Sequence, residues 1–278
     1  MRHLVNSLQA TVARFTAKNG FMRSSHLTLS FVFALFPFCL FALSLAGVLS
    51  PQAQVDDIID FAIGAWPDAI AGPIKHELRA VLQSASSTLT LGAVLAIIFA
   101  SNGVDAIRLV ITDAYRETDP RPFWKVRALA VLFVVVGSAL LTVAGVISVI
   151  VPIAIHFFDD LVPWLDQSIL SNDQFRQATI FGVTMFYLYA CHRWLPGVPH
   201  KAKSLWPGVL LCLVLWYVAS KAFTFYISSF STYSVTYAGL AGLMSALVYL
   251  YLLSAIFVLG AEFNRQLMAE ARARGETG

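Results

Sequence analysis

Charge is scarce in this chain. Of its 278 residues, 16 are acidic and 19 basic, so charged side chains make up 13%. A soluble domain carries about twice that share. The shortage excludes an ordinary soluble globule. It also excludes a disordered chain, which couples high charge to low hydrophobicity. Cysteine is equally sparse. Cys39, Cys191 and Cys212 each lie inside an apolar run, and no pair has metal-ligand spacing, which argues against a disulfide framework. A net charge of +3 is too small to imply a nucleic-acid partner.

What the chain has in place of charge is long apolar runs. Crossing a ~30 Å hydrocarbon core takes ~20 helical residues. Leu27 to Leu49 is 23 residues without a charge, Ala80 to Val104 is 25, and Ala128 to Phe158 is 31. Gln177 to His192 is 16 and Ser204 to Ser220 is 17. Ala222 to Ala261 is 40 uncharged residues, too long for one crossing, and its polar stretch Ser228–Ser234 reads as a turn. The runs predict an all-α polytopic membrane protein with six transmembrane helices, near 27–49, 88–110, 128–155, 177–194, 205–228 and 239–262.

The basic residues test that count through the positive-inside rule. Fifteen of the 19 fall in alternate segments: Arg2, Arg14, Lys18 and Arg23; Arg108, Arg116, Arg121, Lys125 and Arg127; Arg193, Lys201 and Lys203; Arg265, Arg272 and Arg274. The opposite segments hold only Lys75, Arg79 and Arg176, and Lys221 lies within span 5. The asymmetry places both termini in the cytoplasm. Trp124, Trp194 and Trp206 mark the inner boundary, and Trp66 and Trp164 the outer one, as amphipathic rings prefer. The reading divides the chain into a basic cytoplasmic segment (1–26), a six-helix domain (27–262) and a cytoplasmic tail (263–278).

Residues 1–26 contain no acid and set Leu4, Leu8, Val12 and Phe15 at helical spacing. That is the pattern of an amphipathic helix on the inner leaflet. The outer loop 50–87 carries two more apolar stripes, Val55–Trp66 and Ile74–Ala85. They predict amphipathic extracytoplasmic helices between spans 1 and 2.

Several stretches resemble the YihY/BrkB family of bacterial inner-membrane proteins. Ser25–Pro37 is similar to the family's first span. Asn102–Arg108, Asp113-Ala114-Tyr115 and Arg121–Trp124 are similar to its first cytoplasmic loop. Trp206-Pro207-Gly208, Phe225-Tyr226 and Tyr237-Ala238-Gly239 resemble later stretches, although the family usually has Tyr-Gly at the last. Leu259–Asn264 is the most specific match, with Phe263 where Leu is commoner. The resemblance covers residues 15–270. It implies six helices in a bacterial inner membrane and no settled biochemical activity. Some members have been linked to virulence or envelope phenotypes, movement of lipids or solutes is the activity the resemblance leads one to expect, and the family has carried the name ribonuclease BN.

The nuclease name finds no support in the residues. A metal-dependent nuclease clusters histidines and carboxylates around its ions. The six histidines (His3, His26, His76, His156, His192, His200) include no pair two to four residues apart. No phosphate-cradling glycine loop occurs. The reading therefore assigns no catalytic residue, metal or cofactor.

Ionisable groups within spans are functional candidates. Asp105 lies about one turn short of the inner surface, with Arg108 at i,i+3 and Asn102 nearby. Lys221 lies towards the outer leaflet, where its stem can snorkel. Glu262 and Asn264 end span 6; a clasp from Glu262 to Arg108 or to the N-terminal segment is the structural alternative to a substrate role. Pro37 interrupts the hydrogen bonding of span 1 and is a hinge candidate. Small residues at Gly92, Ala96 and Ala100, and at Ala238, Gly242 and Ala246, predict close helix packing.

The reading that follows is a translocator or permease for a lipid or small solute. Its cavity lies among spans 1, 2, 5 and 6, with Asn102, Asp105, Arg108, Lys221, Glu262 and Asn264 as candidate contacts. The competing reading is a non-catalytic scaffold for envelope machinery, with a homo-oligomer or envelope protein as partner. Membrane lipids are partners in either case, and nucleic acid in neither.

Overall fold

A computed structural model describes residues 2–49, 71–72, 75–76, 89–115, 119–157, 173–198, 200–229 and 238–275. Among them are seven long helices and no strand: α1 (Arg2–Ala17), α2 (Gly20–Leu49), α3 (Leu89–Tyr115), α4 (Phe123–Phe157), α5 (Asp173–Trp194), α6 (Ala202–Ser229) and α7 (Ala238–Ala273). Helices α2 to α7 each coincide with one of the six predicted segments, of which residue 88 lies outside the described residues. Three stretches among the described residues are long and apolar enough to cross a membrane: Phe123–Ala144, Ala202–Ile227 and Met244–Ala273. The predicted outer-loop helices lie outside the described residues, except that 71–72 and 75–76 are helical. The Ser228–Ser234 turn is described only to Ser229, and Gly92, Ala238 and Gly242 only as backbone.

The helices outrun the apolar segments at their ends. Charge stops a hydrophobic run, but it does not stop a helix, because Arg, Lys and Glu are good helix formers. So α3 continues to Tyr115, and α7 continues to Ala273, through the first residues of the predicted tail. Pro37 and Pro207 both lie inside helices, and α2 and α6 run on past them. Buried hydroxyls bond back to their own helix: Ser24 Oγ donates to the Gly20 carbonyl at 2.8 Å and Thr28 Oγ1 to the Ser24 carbonyl at 2.7 Å. In an apolar surrounding this satisfies groups that would otherwise lack a partner.

Helix α3 touches α2, α4, α5 and α7. Its buried face, Ala100, Val104, Ile107 and Ile111, packs into a core with Leu27, Leu188, Cys191, Val209, Cys212 and Phe257. Of its predicted small-residue stripe Ala96 and Ala100 are buried, and a glycine outside that stripe brings α2 close: a Cβ at Gly103 would lie 2.5 Å from the Ala34 Cβ. Large apolar side chains stay exposed on the outward faces, among them Phe33, Phe99, Leu132, Val136, Val214, Val218 and Val248. An apolar exterior over a packed interior suits a lipid surround.

Helix α1 packs on α7 and α2. Its predicted stripe is divided: Phe15 is buried, while Leu8 is exposed and Val12 is 53% exposed. The face turned to the bundle is Ser7, Thr11 and Phe15. Ser7 Oγ donates to Glu270 Oε2 at 2.8 Å, so a polar partner on α7 selects the face. Asn19, at φ 55°, makes the turn into α2, one of the few non-glycine residues that adopts this region readily.

Candidate functional site

Three groupings of polar residues stand out, and the first is a buried joint of four helices. Asn264 of α7 is fully buried. Its Oδ1 accepts the Gly208 N–H at 2.6 Å, and its Nδ2 donates to the Leu205 carbonyl at 2.9 Å and to the Tyr115 hydroxyl at 3.0 Å. The two backbone partners fix the amide orientation, since an N–H only donates and a carbonyl only accepts. The Tyr115 hydroxyl proton then goes to His192 Nδ1, 2.9 Å away on α5. That leaves the ring proton on His192 Nε2, a buried group with no hydrogen-bond partner among the described residues. The joint is tight because Gly208 and Gly260 face each other where α6 crosses α7. A Cβ on Gly208 would meet the Gly260 carbonyl and, at 2.5 Å, the Asn264 amide.

The second grouping joins the charged residues at the same end of the bundle. Arg108 Nε donates to Asp105 Oδ1 at 2.7 Å and its Nη1 to Asp119 Oδ2 at 3.0 Å. Arg121 holds Asp119 through Nη2 at 2.7 Å and Nε at 3.0 Å, and donates to the Trp194 and Leu195 carbonyls. It thereby caps the last turn of α5, whose carbonyls have no partner within the helix. These guanidinium bonds hold the Asp119 carboxyl at about 2, below the ordinary carboxylate value. Nearby, Glu262 is 1% exposed and lies 2.5 Å from Arg14 Nε and 3.7 Å from Arg23 Nη1. Arg23 also reaches Asp113 at 3.3 Å. So Glu262 ties α7 to the N-terminal segment; its partner is not Arg108.

The third is a cavity of about 1260 Å³ among α2, α3, α5, α6 and α7. On α6 its wall runs from Leu210 to Thr224, about 21 Å of helix axis. One end is apolar, with Phe31, Ile107, Cys191 and Leu210. The other gathers Gln177, Ser220, Lys221 and Thr224. Two bonds hold the α6–α7 wall: Trp216 Nε1 donates to the Leu253 carbonyl at 2.9 Å, and the Ser220 and Tyr249 hydroxyls lie 2.7 Å apart. Lys221 is exposed, its Nζ 5.7 Å from the Tyr217 ring centre. Among the described residues no carboxylate pairs with it.

The structure scatters the six residues that sequence reading gathered into one cavity. Only Lys221 lines the large cavity. Asp105 and Arg108 line a smaller one of about 320 Å³. Asn102 is exposed and accepts from Arg127 Nη1 at 2.7 Å. Glu262 and Asn264 are buried in contacts between helices. The reason is geometric: the six residues lie on different helices, and depth along a span shows neither which helices are neighbours nor which faces meet. Pro37 lies beside Phe38, on the α2 stretch that borders the cavity. Tyr115 was read only within a stretch resembling the family's first cytoplasmic loop, His192 was read as no site residue, and α5 as a cavity wall went unread. Among the described residues no three of His, Cys, Asp and Glu come together to hold a metal ion.

The family model described as Virulence factor BrkB matches residues 11–278. The chain belongs to the BrkB family. It is 28% identical over 269 residues to the ribonuclease-like protein YfkH of Bacillus subtilis (strain 168), covering 94% of each chain. It is 26% identical over 282 residues to a UPF0761 membrane protein of Verminephrobacter eiseniae (strain EF01-2), covering 94% of this chain and 63% of that one. A UPF0761 membrane protein of Pseudoalteromonas translucida (strain TAC 125) is 26% identical over 71% of this chain and 64% of its own. The chain thus spans less than two thirds of these two UPF0761 relatives. No solved structure matches it. This BrkB-family chain is a membrane protein, with helices apolar enough to span a bilayer.

Proposed function

We propose that this protein crosses a bacterial inner membrane six times, with both termini in the cytoplasm, and moves a lipid or small solute through the five-helix cavity. The cavity is the observation that carries the reading. At about 1260 Å³ it exceeds the ~300–1,000 Å³ of ordinary ligand pockets. In this orientation its polar end faces outward and its apolar end inward. That order matches an amphiphile entering from the outer leaflet, its head beside Lys221 and its tail along Phe31, Ile107 and Leu210. Lys221 offers a charge that no carboxylate among the described residues takes up. A lipid or solute needs no catalytic group here, only a path and a selective contact. Any driving force comes from an ion gradient, a partner or downhill flow.

The test is mass spectrometry of lipids retained through mild-detergent purification, followed by transbilayer movement in liposomes. The expected result is one enriched lipid class, lost in Lys221→Ala, with movement slowed in the same variant. Retention no different from bulk membrane, with no lipid or solute flux above empty liposomes, would sink the reading. A stoichiometric protein partner without flux would favour the scaffold.

A further inference from the structure

We infer that the smaller cavity, at the α3–α4 corner, is a phosphate-binding site separate from the translocation cavity. It is lined by Asp105, Arg108, Asp119, Arg121, Phe123, Val126 and Arg127, and its volume is about 320 Å³. Three guanidinium groups face two carboxylates, so the wall carries one excess positive charge. Its location is specific. Asp105 and Asp119 are both engaged by Arg108, and Asp119 also by Arg121. Arg127 has no carboxylate within ion-pair distance among the described residues. Its bonds go to neutral acceptors, the Asn102 amide at 2.7 Å and the Ile98 carbonyl at 2.9 Å.

Donor capacity is also left over. Each guanidinium has five N–H groups. Arg108 uses two and Arg127 two on the partners named above, so each keeps three that face no acceptor among the described residues. A planar fork with spare donors and net charge fits a phosphate group better than it fits a carboxylic acid or a neutral headgroup. The first turn of α4, Phe123 and Val126, completes the wall and adds the positive end of a long helix. The volume holds a phosphate with a few waters, each needing ~30 Å³.

The corner is also dressed for a membrane edge. Phe123 is exposed, Trp124 is 79% exposed, and Lys125 is exposed beside them. In the orientation proposed above this corner sits at the inner headgroup level, where the phosphate of an anionic lipid lies. The lipid source of the phosphate rests on that orientation. The phosphate chemistry of the pocket does not.

The experiment uses the full chain in neutral detergent, with Arg127→Gln and a control, Arg272→Gln, which removes the same charge from an exposed position. Native mass spectrometry counts phosphatidylglycerol retained against phosphatidylcholine, and titration with inorganic phosphate measures competition. One phosphatidylglycerol per chain is expected, displaced by phosphate, with affinity falling about tenfold or more in Arg127→Gln and within about twofold in Arg272→Gln. Phosphate binding without lipid retention would assign the pocket to a free phosphoryl ligand. Lipid binding of no fixed stoichiometry, equal losses in both variants, or neither probe binding better than phosphatidylcholine would overturn the proposal. If Arg127→Gln fails to fold, wild-type stoichiometry and phosphate competition still decide. Lys221→Ala should leave this site intact, so failure here and failure of the translocator reading are separable.

Discussion

Where α6 begins, Leu205 and Gly208 are bonded to Asn264, and Asn264 to Tyr115. Sixteen residues further along the same helix, about 24 Å by helical rise, Lys221 borders a cavity and pairs with no carboxylate among the described residues. One end of the bundle spends its polar groups on joining helices. At the other end the Ser220–Tyr249 hydroxyl pair still joins α6 to α7, while Lys221 borders open volume. Paired buried polar groups make a joint specific, and in this one only His192 Nε2 lacks a partner among the described residues. Pro37 lies next to Phe38 on the α2 stretch that borders the open volume.

Asn264→Leu attacks the bonded end and should have the largest effect. It removes three hydrogen bonds in a buried place, those to the Gly208 N–H, the Leu205 carbonyl and the Tyr115 hydroxyl. At about 0.5–1.5 kcal/mol each, a loss of about 3 kcal/mol is expected in detergent unfolding. An unfolding midpoint equal to wild type would mean the joint is not a fixed point.

Gly208→Ala comes next. The added Cβ would meet backbone at Gly260 as well as the Asn264 amide, and backbone cannot swing aside. Overpacking of this kind costs about 1–3 kcal/mol. A matched Gly182→Ala, where a Cβ meets nothing within 4 Å, should stay near wild type. Equal midpoints in the two variants would show that the α6–α7 crossing tolerates separation.

Asp119 gives a smaller, pH-dependent effect at the bonded end. Its carboxyl is held at about 2 by Arg121 and Arg108, below the unfolded value of about 3.9. A group lowered in the folded state stabilises above its unfolded value and loses that contribution as pH falls towards the folded one. Stability should therefore drop between about pH 4 and pH 2, and Asp119→Asn should flatten that part of the curve. An unchanged slope in the variant would remove Asp119 from the account.

These differences show what the sequence could and could not carry. Apolar runs located α2 to α7 because each run is continuous in the chain, and a continuous run is local information. The Asp105–Arg108 pair was legible for the same reason, being one turn apart. Tyr115 and Asn264 are 149 residues apart and meet only because α3 and α7 pack together. Trp206-Pro207-Gly208 and Leu259–Asn264 were read as family signatures, and they turn out to contain the two glycines and the asparagine of the crossing. Their spacing held no hint of that contact. Nor did the charge of Glu262 show which of several arginines it meets. The answer, Arg14 and Arg23, depends on α1 folding back along the end of α7.

Lys221→Ala tests the open end and should scarcely change stability. Its ammonium is exposed, its ring contact with Tyr217 is long, and no carboxylate among the described residues pairs with it. Substitutions at such positions usually stay within about 0.5 kcal/mol. The unfolding midpoint in detergent should therefore match wild type, while retention of the co-purifying lipid falls. A midpoint lowered as much as in Gly208→Ala would show that Lys221 holds the bundle together. The contrast between a bonded end and an open end would then fail at Lys221.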